Sequence, residues 1–590
     1  MQTNYDKFPT IELQNGAQIF QSSAVWAHLR DAALARGPQP ILVVDCYPGV
    51  NIADLMKSMT THFSAWEIIN VEERAAESAE VRESLIARSL TSDRVFGHMS
   101  HLDLSEFYNQ QKLFELSTHI RNSRLPTVVV GWGAALVELA NAVVVLADMA
   151  RWELQRRQRA GAPNWLAANE DDDPLRKFKR GYFVEWRMAD RHKKSMFDTF
   201  DFLLDTNRGA PDAKLLEGDA FRAAMQSAAR RPFRVVPFFD PGVWGGQWMK
   251  KNLGLDPEPH NYAWCFDCVP EENSLLLESN GVVIEVPSID LVLTQPRDLL
   301  GEKTFARFGA EFPIRFDFLD TMGGGNLSLQ VHPLTEYIKD QFGMTYTQDE
   351  SYYLLDCADD AVVYLGLKSG IDKEEVVHDL RAAATGEIPF PTDRYVNSFP
   401  ARKHDHFSIP AGTIHCSGAN SMVLEISATP YIFTFKLWDW DRVGMDGAPR
   451  PIHLDHGIAN IQWGRDTQWV KQELLDQVEV LSSTDGVIEE RTGLHNLEFI
   501  ETRRHWFGES VVHDTQGTVN VLNLVEGDEV EVVSPTHAFA PFVVHYAETF
   551  IVPARVGPYL VRRTSSSRSK RFATIKASVR GTQIDWALPA

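Results

Sequence analysis

Cysteine is scarce in this chain: five in 590 residues, at Cys46, Cys265, Cys268, Cys357 and Cys416. So odd and thin a set excludes a disulfide framework. Cys265-Phe-Asp-Cys268 is a single CxxC without a second pair, so it does not complete a zinc ribbon. Lying among β-like runs, it reads as two half-buried structural thiols. Positive charge is also in deficit, with 58 Lys and Arg against 80 Asp and Glu and a net charge of -22. That excludes a nucleic-acid backbone as the main partner, yet a small phosphorylated ligand needs only a few local cations. Long apolar runs are nearly absent. The exception, residues 126–147, is interrupted by Glu138 and Asn141 and broken at Gly131-Trp132-Gly133. A strand, a glycine turn, a short helix and a second strand fit it better than a membrane span, in which Glu138 would be costly. The opening MQTNYDKFPTIELQNG lacks the basic stretch and apolar core of a secretion signal. The expectation is a cytoplasmic protein with no nucleic-acid or membrane partner.

What is present is a globular composition, 44% hydrophobic and 23% charged. The length suggests about four domain-sized units. Three regions separate by pattern. Residues 1–232 alternate apolar β runs (ILVVD, TVVV, VVVLAD) with helical stretches, which predicts an α/β domain with a parallel sheet. Within it, residues 151–194 are rich in Arg and Lys around an EDDD run. They read as solvated helix faces or as an anion-binding lid. From 233 to 470, short β-like runs recur, among them SLLLE, GVVIEV, DLVLT, YYLLD, AVVYLGL, MVLEIS and YIFTFKLW. Gly, Pro and Asp punctuate them, which predicts an antiparallel sandwich or barrel. Two helical stretches, 333–343 and 372–386, interrupt this β region. Residues 471–590 continue as a second β domain, with RRTSSSRSKR (562–571) as an exposed turn.

The densest chemistry lies in the middle region. LSLQVHP puts Gln330 and His332 two residues apart, on one face of a strand. Glu350 opens the run ESYYLL, and His415 closes PAGTIH. Two imidazoles, a carboxylate and an amide oxygen make a site for one divalent metal such as zinc, with an open position for water or substrate. Read singly, each is an ordinary polar strand residue; it is their occurrence together, in order, that points to a metal.

QVHP, Glu350, PAGTIH, MVLEIS and FKLWDWDR resemble class I phosphomannose isomerase, a zinc-dependent cupin enzyme. VWGGQWMKKNLG, FPIRFDFLDT, RPIHLDHGIANIQW and FVVHYAETFIVPARVGPYLV are similar to other segments of that family, so the resemblance runs from 233 to 590. It implies a jelly-roll isomerase module with a helical insertion. The implied reaction interconverts mannose 6-phosphate and fructose 6-phosphate by proton transfer through an enediol. By resemblance the metal ligands are Gln330, His332, Glu350 and His415. Glu425 of MVLEIS is either the acid/base or a structural carboxylate.

The cationic surround departs from the family. A lysine two residues before the ligand glutamate is here Gln348, an arginine of a Tyr-Arg-x-Tyr-Asp stretch is Lys436, and another lysine is Asp317. Lys436 keeps the charge without the bidentate fork. Lys436 and Glu425 are the candidate catalytic residues, and Arg315 and Arg442 the candidate substrate contacts. Lys250 and Lys251 are further cations to consider, although each of these cations also reads as an ordinary surface or structural one. The expected partner is a small sugar or sugar phosphate, and a homo-oligomer is allowed. Two alternatives stay open: another chemistry on the same metal, such as an oxygenase or epimerase, and a non-catalytic sugar sensor.

The first 232 residues resemble a nucleoside-kinase-type P-loop domain without its phosphate loop. CYPGVNIADLMKS has one glycine and no Gly-Lys-Ser/Thr. The expectation is a degenerate domain that does not bind triphosphate in the usual way.

Overall fold

Unbroken runs of β-branched residues build strands buried on both faces, and Ile41–Cys46, Thr127–Gly131 and Val143–Asp148 are such strands. A computed structural model describes residues 4–14, 16–445, 447, 450–495 and 498–581. The chain divides into two compact units. One comprises 10–228 with 270–295, and the other 1–9 with 229–269 and 296–590. A single cut at 232 therefore does not describe the chain: the hairpin Ser274–Ser279/Val282–Pro287 belongs to the N-terminal unit, where Thr10–Glu12 pairs with it in parallel.

The N-terminal unit is α/β. Its seven-stranded sheet runs Ile19–Gln21, Lys214–Glu217, Phe202–Asp205, Val143–Asp148, Ile41–Cys46, Thr127–Gly131, Glu67–Asn70. The last five are mutually parallel, with the earliest in sequence at their centre. The run 126–147 is strand, glycine turn, 3-10 turn and strand, and among the described residues no helix is long and apolar enough to cross a membrane.

Two expectations need correction in this unit. DLVLT is not a strand; it lies in the helix Ile289–Thr294. A short apolar run does not distinguish a strand from a buried helical turn, and Asp290 in the first turn favours the helix. The basic stretch 151–194 is a solvated face only in part: Arg156, Arg159, Arg176 and Lys194 are exposed, but other cations of the stretch are buried. Lys177, Lys179 and Lys193 are 2–3% exposed and Arg151 is 7% exposed. Lys193 Nζ lies 2.6 Å from Asp290 and 3.2 Å from Asp148, and Arg151 pairs with Asp190 at 2.7 Å and Glu272 at 3.8 Å. Lys177 and Lys179 donate to backbone carbonyls.

In the other unit, two antiparallel sheets come from 238–438. The six-stranded one runs His406–Ile409, Glu350–Cys357, Ser421–Ala428, Ile314–Asp320, Trp264–Cys268, Phe238–Asp240. The five-stranded one runs Val396–Pro400, Val362–Leu367, His415–Ser417, Leu329–Val331, Phe435–Trp438. Helices Thr335–Phe342 and Lys373–Ala384 interrupt the strands where expected. Residues 479–579 form a further six-stranded and a further four-stranded sheet around a core of Phe507, Leu522, Phe550, Tyr559 and Phe572. Burying each such side chain contributes about 1.5–3 kcal/mol. Gly246 of the Trp-Gly-Gly segment is obligatory: a Cβ there would lie 2.1 Å from Asp320 Oδ1, which accepts from the Met322 amide while Oδ2 accepts from the Met249 amide. Cys265 and Cys268 are in no disulfide and are fully rather than half buried, on a strand covered on both faces.

Candidate metal centre

Strand register sets the site. Ile314–Asp320, Ser421–Ala428 and Glu350–Cys357 are neighbours, and cross-strand partners share a face. One row across them is Arg315, Ser427, Glu350; the next is Asp317, Glu425, Tyr352. In the five-stranded sheet Gln330 pairs with His415 on one side and Lys436 on the other, so these three share a face. His332 lies two residues beyond Gln330, on the same side.

His332, Glu350 and His415 come together with donor atoms within 4.8 Å of one another, all buried. His332 Nε2 is 3.1 Å and His415 Nε2 2.8 Å from different oxygens of Glu350. Each ring faces a carbonyl with its other nitrogen: His332 Nδ1 with Phe433 O at 3.2 Å, His415 Nδ1 with Thr413 O at 2.8 Å. Donation from Nδ1–H leaves the Nε2 lone pairs facing the carboxylate. Neither His332 Nε2 nor Glu350 Oε1 makes a hydrogen bond. Lone pairs at such distances repel unless a cation lies between them, and a carbonyl behind each ring is how metal-ligating histidines are oriented. Gln330 completes the set: its amide nitrogen lies 3.2 Å from His415 Nε2, and turning the amide over presents oxygen there. The residues fit a divalent metal held by nitrogen and oxygen donors.

The neighbouring carboxylates differ. Burial alone would raise Glu350, but positive charge on His332 and His415 outweighs it and holds the carboxyl well below the usual range, as a cation between them would. Glu425 moves the other way: burial first, then the charges of Glu350 and Asp317, push it well above. Burial brings Asp317 up to about 7, with Arg315 opposing and Glu350 adding to the rise. Gln348 bridges the two glutamates, its Nε2 donating to Glu350 at 3.0 Å and Glu425 at 3.2 Å.

Both candidate arginines carry their own acidic partners. Arg315 is ion-paired with Asp317, and its guanidinium sits 4.6 Å over Tyr431 and 5.7 Å over Phe266. Arg442 holds Asp439 at 2.6 Å, and Arg450 shares the same carboxylate at 2.6 Å. Lys436 is half-buried in register with Gln330, and Lys250 donates to Pro259 O.

Some residues that build the site escaped the sequence reading. Asp349 accepts from the Ala411 amide at 2.8 Å, and Arg465 donates to Pro410 O and Ala411 O, so the PAGTIH turn is fixed from outside. Tyr352 and Ser427 sit two residues from Glu350 and Glu425 on the same face; strand alternation alone could have found them.

Residues 23–230 match a family described as a domain of unknown function, DUF8485. Mannose-6-phosphate isomerase of Streptococcus mutans is 26% identical over 247 residues, 41% of this chain and 72% of the relative. Mannose-6-phosphate isomerase ManA of Bacillus subtilis is 26% identical over 231 residues, 39% of this chain and 68% of the relative. The solved Bacillus subtilis mannose 6-phosphate isomerase covers 59% of this chain and 99% of its own, with 17% identity and a TM-score of 0.48. A zinc-bound mannose 6-phosphate isomerase covers 58% of this chain and 99% of its own, with 14% identity and a TM-score of 0.43. Over about two-fifths of its length the chain is homologous to mannose-6-phosphate isomerases, which are intramolecular oxidoreductases.

Proposed function

We propose that this protein is a metal-dependent aldose–ketose isomerase acting on mannose 6-phosphate or a related sugar. One observation carries the reading: a buried carboxylate, Glu350, lies 3.1 and 2.8 Å from two carbonyl-backed imidazoles, beside a second buried carboxyl, Glu425, that burial and its acidic neighbours push well above the usual range. Neighbouring carboxyls shifted in opposite directions suit acid–base chemistry next to a metal. Gln330, His332, Glu350 and His415 would hold the ion, which when bound polarises a carbonyl or hydroxyl oxygen.

From aldose to ketose, a proton leaves C2, an enediol forms between C1 and C2, and a proton arrives at C1. Glu425 is the group proposed to carry the proton: its ionised form takes it from C2, and the neutral carboxyl so formed, favoured by burial, returns it to C1. Lys436 would supply positive charge to the developing enediolate from the facing sheet. Arg315 and Arg442 are the proposed substrate contacts, each with its acidic partner.

For the N-terminal unit we propose a degenerate P-loop kinase-like role without triphosphate binding. Two features support it: no Gly-Lys-Ser/Thr follows the central strand, and a Cβ at Gly49 would lie 2.3 Å from Leu154 Cδ1, so the turn is packed shut.

The test is proton NMR in D2O on zinc-loaded protein with mannose 6-phosphate and mannose, against chelated and His415→Ala controls. Metal-dependent C2 deuteration with ketose formation is expected. Its absence with both sugars would discard the isomerase reading in favour of a metal-bearing sugar sensor.

A further inference from the structure

One face of the six-stranded sheet in residues 479–579 turns from apolar to polar along its strands. Ile500–Phe507, Phe572–Val579 and Asn520–Glu526 are neighbours there, and alternate residues of each share a face. Phe507 pairs with Phe572 in the core; in steps of two residues, His505 then pairs with Thr574, Arg503 with Lys576 and Glu501 with Ser578. Leu522 and Asn520 stand on the other side of Lys576 and Ser578. At its polar end this face borders a cavity of about 90 Å³, whose walls include Arg503, Lys576, Ser578, Arg580, Glu501 and Asp514. That is room for a few waters, or for one tetrahedral oxyanion in their place.

Three cations and two carboxylates line the cavity, and they are not matched evenly. Arg503 is held twice, by Glu501 at 2.6 Å and by Glu489 at 2.7 Å. Asp514 is exposed and accepts from the Gln516 amide at 2.6 Å. Arg580 donates Nη1 to His495 O at 3.1 Å, while its buried Nε makes no hydrogen bond and lies 3.8 Å from Glu501. Lys576 has least. Among the described residues its ammonium has neither an ion-pair partner nor a hydrogen bond. Burial, then the charge of Arg503, pull it down to about 8, although Glu489, Glu501 and Asp514 oppose the fall. Elsewhere this chain buries lysines against partners: Lys193 against Asp148 and Asp290, Lys177 and Lys179 against carbonyls. A cation taken out of water beside another cation, with no partner of its own, is destabilising until an anion joins it. The two lining carboxylates are already engaged, so Lys576 is the surplus charge of the cavity.

We propose that this cavity is a second binding site, for a small oxyanion of phosphate type, either the free ion or the end group of a small phosphate monoester. Lys576 and Arg580 Nε are its charged donors. Ser578, between them in the chain and on the same face, adds a hydroxyl. Ammonium and guanidinium groups are the usual partners of phosphate oxygens. The site shares no residue with the metal centre and does not depend on the isomerase reading.

Calorimetry on the full, zinc-loaded chain tests this, with inorganic phosphate and methyl phosphate as separate probes. The expected result is one saturable site with a Kd of about 1 mM or tighter. It should persist in His415→Ala and weaken at least tenfold (about 1.4 kcal/mol) in Lys576→Met, while Lys576→Arg, which keeps the charge, retains most of the affinity. Methyl phosphate binding as tightly as inorganic phosphate would assign the site to monoesters, and a tenfold weaker binding would assign it to the free ion. No saturable binding of either probe, or equal binding by wild type and folded Lys576→Met, overturns the proposal. Binding that disappears in His415→Ala and survives in Lys576→Met also overturns it, because the anion then sits at the metal centre. Should Lys576→Met not fold, Arg580→Gln takes its place with the same tenfold expectation.

Discussion

Buried charge is handled in opposite ways in two regions of this molecule. In the α/β unit it is cancelled: Lys193 lies between Asp148 and Asp290, Arg151 against Asp190, His192 against Asp45 at 3.0 Å. At the metal centre acids outnumber cations: Glu350, Glu425 and Asp317 crowd one sheet face, where Arg315 pairs with Asp317 and an amide, Gln348, bridges the two glutamates. The first pattern stabilises a fold and has no use for a ligand. The second costs stability and makes sense once a cation and a polar substrate complete it.

The comparison can be broken most severely at His415. His415→Ala should reduce bound zinc from about one equivalent to none and lower C2 exchange by about a thousandfold or more, read by metal analysis and NMR. Lys193→Met tests the opposite region. It strands Asp148 and Asp290, so denaturant unfolding should show a loss of about 3–5 kcal/mol, with zinc content and exchange per folded molecule unchanged. Glu425→Gln keeps the shape and the ligands but cannot take a proton; zinc content should hold while exchange falls about a hundredfold. The smallest effect is set by pH. His406, which meets Ser351 Oγ at 2.8 Å, is pushed down to about 3 by burial and by Arg504, from an ordinary value of 6.5. Its neutral form is favoured in the fold, so its contribution is complete above pH 6.5 and is lost as pH falls toward 3. That amounts to about 2 kcal/mol by pH 5, and His406→Gln should flatten this limb of the stability curve relative to wild type.

Much of the metal centre was legible in the sequence because its information is local. Gln330 and His332 follow strand alternation, and the Pro-x-Gly-x-x-His turn delivers His415. The α/β alternation and the antiparallel β texture were readable for the same reason. What failed was non-local. The basic stretch 151–194 looks solvated until Asp290, far along the chain, is seen beside Lys193. The hairpin 274–287 has strand patterning, but nothing in its residues says which sheet partner it takes. DLVLT was ambiguous at its length, and burial of both CxxC thiols depends on what covers the strand. Likewise the counter-ion to Arg315 is local, two residues away, whereas the shared carboxylate of Arg442 and Arg450 becomes visible after folding.

The interrupted path of the chain has a consequence for its synthesis. The α/β unit takes residues 270–295 as well as 10–228. A ribosome delivers about 5–20 residues per second, so that unit stays incomplete for some seconds after its first stretch has emerged, while the opening residues of the other unit, 229–269, are already in the exit path. The usual first-made, first-folded order cannot hold here. The nascent chain must keep Lys193 and Asp148 waiting for Asp290.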